Sequence, residues 1–152
     1  PQELIEACLR DASVDARVVS GQAVDVVTAA DAAVVCSGTS TLQTALLSRP
    51  MVVVYKVSWL TFAILKRLVN VAHIALVNLI AGRRLVPELV QDAFTPANVK
   101  LELSRLLNDD ALRNDLKREF ASIRQQLGQG GVARKVVIAI NRYLPEQQPP
   151  TH

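Results

Sequence analysis

Apolar residues along this chain follow two spacings that take turns. "DAAVVCS", ending at Ser37, and "PMVVVYKV", Pro50 to Val57, are short runs with no polar alternation. Such runs suit parallel strands buried on both faces, and Pro50 opens the second where a missing N–H is tolerated. "DARVVSG", closed by Gly21, reads as another short strand, and "HIALVN", His73 to Asn78, as a third central one. Between these runs, apolar residues recur at helical spacing in Gln2 to Asp11, in "QAVDVVTAA" and from Thr39 to Leu47. Ser58 caps a long apolar helix through Val69, and "LIAGRRLVPELVQDAF" reads as irregular.

The last third is helical. Thr95 followed by Pro96 is a helix start, because a hydroxyl at the cap accepts an orphan N–H and proline has none to lose. "NDDALRNDLKREFASIRQQLGQGG" continues with charges at helical spacing and ends in glycine. "VARKVVIAINRYL" is amphipathic, with Val132, Val136, Val137, Ile140 and Leu144 on one face. Strands alternating with helices predict an α/β fold: a partial Rossmann-like domain with a parallel sheet of about four strands, helices on both faces, and C-terminal helices. The domain is expected over residues 1–144, with 145–152, "PEQQPPTH", as a disordered tail.

Composition narrows the classes. Half of the 152 residues are hydrophobic and only 4% aromatic, which fits an aliphatic core. Cys8 and Cys36 lie in apolar sequence with no metal-ligand spacing, so they read as buried thiols and no metal or cofactor is expected. The opening "PQELIEACLRD" carries acids early and does not read as a signal peptide. Val57 to Ala81 is the most hydrophobic region, but Lys66, Arg67, Asn70, His73 and Asn78 interrupt it, so it fails as a membrane span. His73 and Trp59 read as core residues.

Charge adds a second pattern. Net charge is only +3, yet no acid occurs between Asp31 and Glu88, where Arg49, Lys56, Lys66, Arg67, Arg83 and Arg84 fall. A stretch of one sign suits an anionic partner. Nucleic acid is disfavoured, since aromatics are scarce and no recognition motif is present.

The chemistry concentrates in "SGTSTLQ", Ser37 to Gln43. In an open parallel sheet, ligands bind beyond the carboxyl ends of strands, where loops enter helices. Gly38 permits close backbone approach, Ser37, Thr39 and Ser40 offer hydroxyls, and the helix start presents N–H groups to an anion. The motif is neither GxGxxG nor a P-loop, lacking their glycine spacing and the lysine.

From about Ala30 to Val99 the chain resembles, without gaps, the C-terminal part of bacterial lipid-A-disaccharide synthase. That family runs SGTATLE, a helix, RPMVVxYRVSxLTxxxAKRLVK, a strand, PNLLAGRxLVPELLQ and TPxNL. The resemblance implies half of a two-domain glycosyltransferase architecture (GT-B type), with this half binding a UDP-sugar. The implied reaction transfers 2,3-diacylglucosamine from UDP to the 6-hydroxyl of 2,3-diacylglucosamine 1-phosphate, with inversion, in lipid A biosynthesis. The implied setting is cytoplasmic, peripheral to the inner membrane.

Matched residue by residue, Ser37, Gly38 and Thr39 fall on the SGT loop, implied to cradle the phosphates. Asn78, Gly82 and Arg83 fall on NLLAGR, with Arg83 expected on the diphosphate and Asn78 on sugar or phosphate. Glu88 and Gln91 fall on PELLQ, with a supporting or ribose-binding role. Gln43 replaces the family's glutamate, and a neutral acceptor holds ribose hydroxyls more weakly than a carboxylate. The acceptor domain, its general base and the LPGSR loop have no counterpart in these residues, so the chain alone is expected to be inactive and to associate with itself or with a missing half. The alternatives are another UDP-sugar transferase or epimerase of the same architecture, or a non-catalytic module that binds membrane or a partner.

Overall fold

A computed structural model of the chain describes residues 2–59, 61–62, 73–128 and 132–141. Its elements in order are α1 (Gln2–Asp11), α2 (Ala23–Ala29), β1 (Ala33–Cys36), α3 (Thr39–Leu46), β2 (Met51–Tyr55), α4 (Leu76–Ala81), β3 (Glu88–Val90), a 3-10 turn (Gln91–Ala93), α5 (Pro96–Asn108), α6 (Asp110–Leu127) and α7 (Val132–Asn141). The three strands form a parallel sheet in the order β1-β2-β3. Val35 lies opposite Val53, and Val53 in turn opposite Glu88. This is the α/β, Rossmann-like arrangement that the alternating pattern predicts.

The core centres on β2, whose Met51, Val52, Val53 and Val54 are all buried, as an uninterrupted apolar run requires when both faces are covered. Around it pack Ala45 of α3, Val77 of α4, Leu106 of α5, and Leu116, Phe120 and Ile123 of α6. α5 begins as expected: Thr95 accepts the Asn98 N–H and Pro96 takes the first turn. The α6 cap is Asp109, which accepts the Leu112 N–H, and Gly128 ends the helix at a φ of +83°.

Five expectations are corrected. The sheet has three strands among the described residues, not about four. Asp15 to Gly21 is not a strand: it pairs with nothing and is largely exposed, since β-propensity without a neighbouring strand to bond stabilises nothing. Residues 73–78 lead into α4 rather than forming a central strand, because an apolar run this short fits either element and the Glu88 carboxylate holds the Ile74 and Ala75 N–H groups just ahead of the helix. The strand lies instead in "ELV", Glu88 to Val90, inside the segment read as irregular.

The cysteines are the fourth correction: Cys8 and Cys36 are both exposed. Cys36 and Val34 share the exposed face of β1, while Cys8 belongs to α1, which buries none of its residues. Trp59 also departs from the core reading, being 79% exposed. The expected helix beyond Ser58 is seen only at its start, where the Ser58 hydroxyl accepts the Thr61 N–H. Lys66, Arg67 and the tail from 145 lie outside the described residues.

Candidate functional site

The SGT loop sits at the carboxyl end of β1. Ser37 still bonds to the sheet, its N–H donating to Val54 O at 3.0 Å, and Gly38 then turns the chain into α3. Gly38 has a φ of +150°, which disfavours any side chain, and a Cβ there would meet nothing within 4 Å. Glycine is present for its backbone angle, and the space above it is open.

The hydroxyls divide into inward and outward ones. Ser37 Oγ donates to Ile74 O at 3.0 Å, and Ser40 Oγ to Cys36 O at 2.9 Å, so neither offers its proton to a ligand as the sequence suggested. Thr39 is exposed, and its hydroxyl has no partner among the described residues. The same holds for the backbone N–H groups of Gly38, Thr39 and Ser40. Three N–H donors and one hydroxyl thus face outward where the positive end of the α3 dipole lies. Gln43, four residues after Thr39 and on its side of α3, is exposed as well.

Asn78 and Glu88 lie behind this loop. Asn78 is fully buried, and its amide makes four hydrogen bonds: it donates to Val86 O (2.9 Å) and Glu88 Oε1 (2.8 Å), and accepts from the N–H groups of Leu85 and Val86 (both 2.9 Å). An amide has two donors and two lone pairs, so none is left for a sugar or phosphate, and the direct contact expected of Asn78 gives way to a holding role. The Glu88 carboxylate also accepts from Ile74 N (3.1 Å) and Ala75 N (3.0 Å), satisfying the start of α4. The resemblance assigned these residues to a site; the fold ties both to the backbone around α4 and β3.

Gln91 clamps the other side. Its amide accepts from Val57 N at 2.8 Å and donates to Val57 O at 3.0 Å, continuing the β2–β3 ladder past its last backbone pair, Tyr55 with Val90. It does so at a φ of +52°, a left-handed conformation uncommon for a residue with a side chain. The clamp fixes where the chain leaves β2 toward exposed Lys56, Ser58 and Trp59.

Gly82 and Arg83 are not brought to the loop. Gly82, at a φ of +66°, ends α4, and Arg83 follows it. α4 starts beside Ile74, which touches Ser37, and its six residues span about 9 Å. Arg83 therefore stands at the far end of α4, paired with Glu119 of α6 at 2.6 Å. Two cavities also lie elsewhere: one of about 400 Å³ lined by Arg84, Glu102, Arg105 and Leu106 among others, and an apolar one of about 560 Å³ on α5 between Phe94, Val99, Leu103 and Leu107.

An open parallel sheet with a glycine turn and a helix start at its carboxyl edge places the chain in the Rossmann-like class of α/β domains. The family model for lipid-A-disaccharide synthetase matches residues 2–139. The chain belongs to the lipid-A-disaccharide synthase family. It is 47% identical over 124 residues to the lipid-A-disaccharide synthase of Anaeromyxobacter dehalogenans, a match covering 82% of this chain and 32% of that protein. With the Myxococcus xanthus enzyme of that name identity is 42% over 127 residues (84% and 33%), and with the Syntrophotalea carbinolica one 39% over 142 residues (93% and 36%). The chain spans about a third of the length of these curated relatives.

Proposed function

We propose that the chain is the UDP-sugar-binding part of an inverting glycosyltransferase that moves 2,3-diacylglucosamine from UDP-2,3-diacylglucosamine to 2,3-diacylglucosamine 1-phosphate in lipid A biosynthesis. The observation that carries this is the loop in which the N–H groups of Gly38, Thr39 and Ser40 and the Thr39 hydroxyl point outward with no internal partner among the described residues, in a chain of this family. Oriented N–H groups at a helix start stabilise a diphosphate, most of all as the bond to the sugar breaks and charge gathers on departing UDP. Gln43 stands one helical turn along, in reach of the ribose.

The loop is an open shelf, one wall of a cleft. The attacking 6-hydroxyl and the general base that takes its proton belong to the opposite wall, so this chain by itself does not turn over. Calorimetric titration with UDP tests the reading. Saturable binding that weakens about fivefold in Thr39→Val and tightens by a similar factor in Gln43→Glu supports it. A folded chain that takes up no UDP refutes it.

The second surface favours an anionic bilayer. Trp59 is 79% exposed next to exposed Lys56, inside the stretch without acids. An indole beside cationic groups suits the interface of the inner membrane, and no helix among the described residues is long and apolar enough to cross one. Exposed Val34 and Cys36 on β1, with Val136, Val137 and Ile140 on α7, offer surfaces for the rest of the enzyme or for a second copy.

A further inference from the structure

We propose that Glu88 is a positioning residue for the Ser37–Ser40 loop, acting through a single peptide group; the inference rests on the UDP-binding reading of that loop. The peptide in question joins Ile74 to Ala75. Its N–H, on Ala75, donates to Glu88 Oε1 at 3.0 Å, and its carbonyl oxygen, on Ile74, accepts from Ser37 Oγ at 3.0 Å. One rigid, planar unit is therefore gripped at both ends, by a carboxylate on one side and by the loop on the other.

The grip has two effects. A charged acceptor on the N–H polarises the peptide, which makes the Ile74 carbonyl a stronger acceptor for the Ser37 proton. That bond commits the Ser37 hydroxyl inward, leaving anion recognition to the Gly38, Thr39 and Ser40 N–H groups and the Thr39 hydroxyl. Glu88 itself is held by Ile74 N at 3.1 Å and by Asn78 Nδ2 at 2.8 Å, and Asn78 is locked by its own three backbone bonds. The chain of contacts runs Asn78, Glu88, the Ile74–Ala75 peptide, Ser37, loop. Glu88 never touches the ligand. It shares a register position with Val53 on the sheet, so its carboxylate is anchored to the strand layer rather than to a mobile turn.

A double-mutant cycle on UDP affinity tests this. Glu88→Gln keeps the shape but turns one acceptor into a donor facing an N–H, and Ser37→Ala removes the other grip. Each single variant is expected to weaken UDP about fivefold, and the double variant no more than either alone, because both cut the same connection. Independent, multiplying losses overturn the proposal.

Amide NMR on the same proteins without ligand gives a separate reading. Ser37→Ala is expected to shift the Ala75 amide resonance and speed its hydrogen exchange about fivefold, and Glu88→Gln to shift those of Gly38 and Thr39. An unaltered Ala75 amide in Ser37→Ala overturns the proposal, even should Glu88→Gln fail to fold. If the folded wild-type chain binds no UDP, the nucleotide reading falls, while the amide comparison still decides the positioning one.

Discussion

The carboxyl edge of the sheet and the flanks of the domain are built on different principles. At the edge, side chains bond backbone across long stretches of sequence: Ser37 to Ile74, Glu88 to Ile74 and Ala75, Gln91 to Val57. On the flanks, α1 buries no residue, and Val136, Val137 and Ile140 of α7 are each about half exposed. Polar chemistry specifies the first region down to individual atoms. The second carries exposed apolar surface, so the sequence of the edge is tied to a geometry and that of the flanks only to a pattern.

Substitutions sharpen that contrast. Asn78→Ala is expected to cost the most, about 3–4 kcal/mol by urea denaturation, because it strips partners from Leu85 and Val86 N–H, Val86 O and the Glu88 carboxylate in a buried setting. Gln91→Leu should cost about 1–2 kcal/mol in the same measurement, since it leaves the half-buried Val57 N–H and C=O without their clamp. Changing Val136 and Val137 together to serine is expected to move stability by no more than about 0.5 kcal/mol while improving solubility. A flank substitution that costs as much as Asn78→Ala would erase the distinction.

The same contrast explains what sequence could disclose. β1 and β2 are legible as uninterrupted apolar runs and α3, α5 and α6 by their helical spacing, and the Thr95–Pro96 start is local chemistry. β3 is not: three residues opened by a proline and a glutamate lack any strand period, and their pairing with β2 is a property of the assembled sheet. For the same reason His73 to Asn78 reads as a strand, since the carboxylate that holds the chain just ahead of α4 lies ten residues or more away. Within the site, the loop was legible as a motif. The inward turn of the Ser37 and Ser40 hydroxyls and the holding roles of Asn78 and Gln91 depend on partners that no local pattern names. Arg83, expected on the diphosphate through the resemblance, pairs with Glu119 of a distant helix, a partner that no local pattern names.

The Ser37–Ile74 bond joins residues 37 apart, and the Gln91–Val57 pair joins residues 34 apart. The β2–β3 pairing, Val53 with Glu88, spans a similar stretch of chain, so these bonds carry the same loop-closure cost as that pairing and form together with it. The Ser37–Ser40 loop therefore takes its final form in the same step that adds β3, and with it Glu88, to the sheet. A nascent or misassembled chain without β3 would lack both, and if the loop takes UDP as proposed, nucleotide uptake would report that the third strand had joined the sheet.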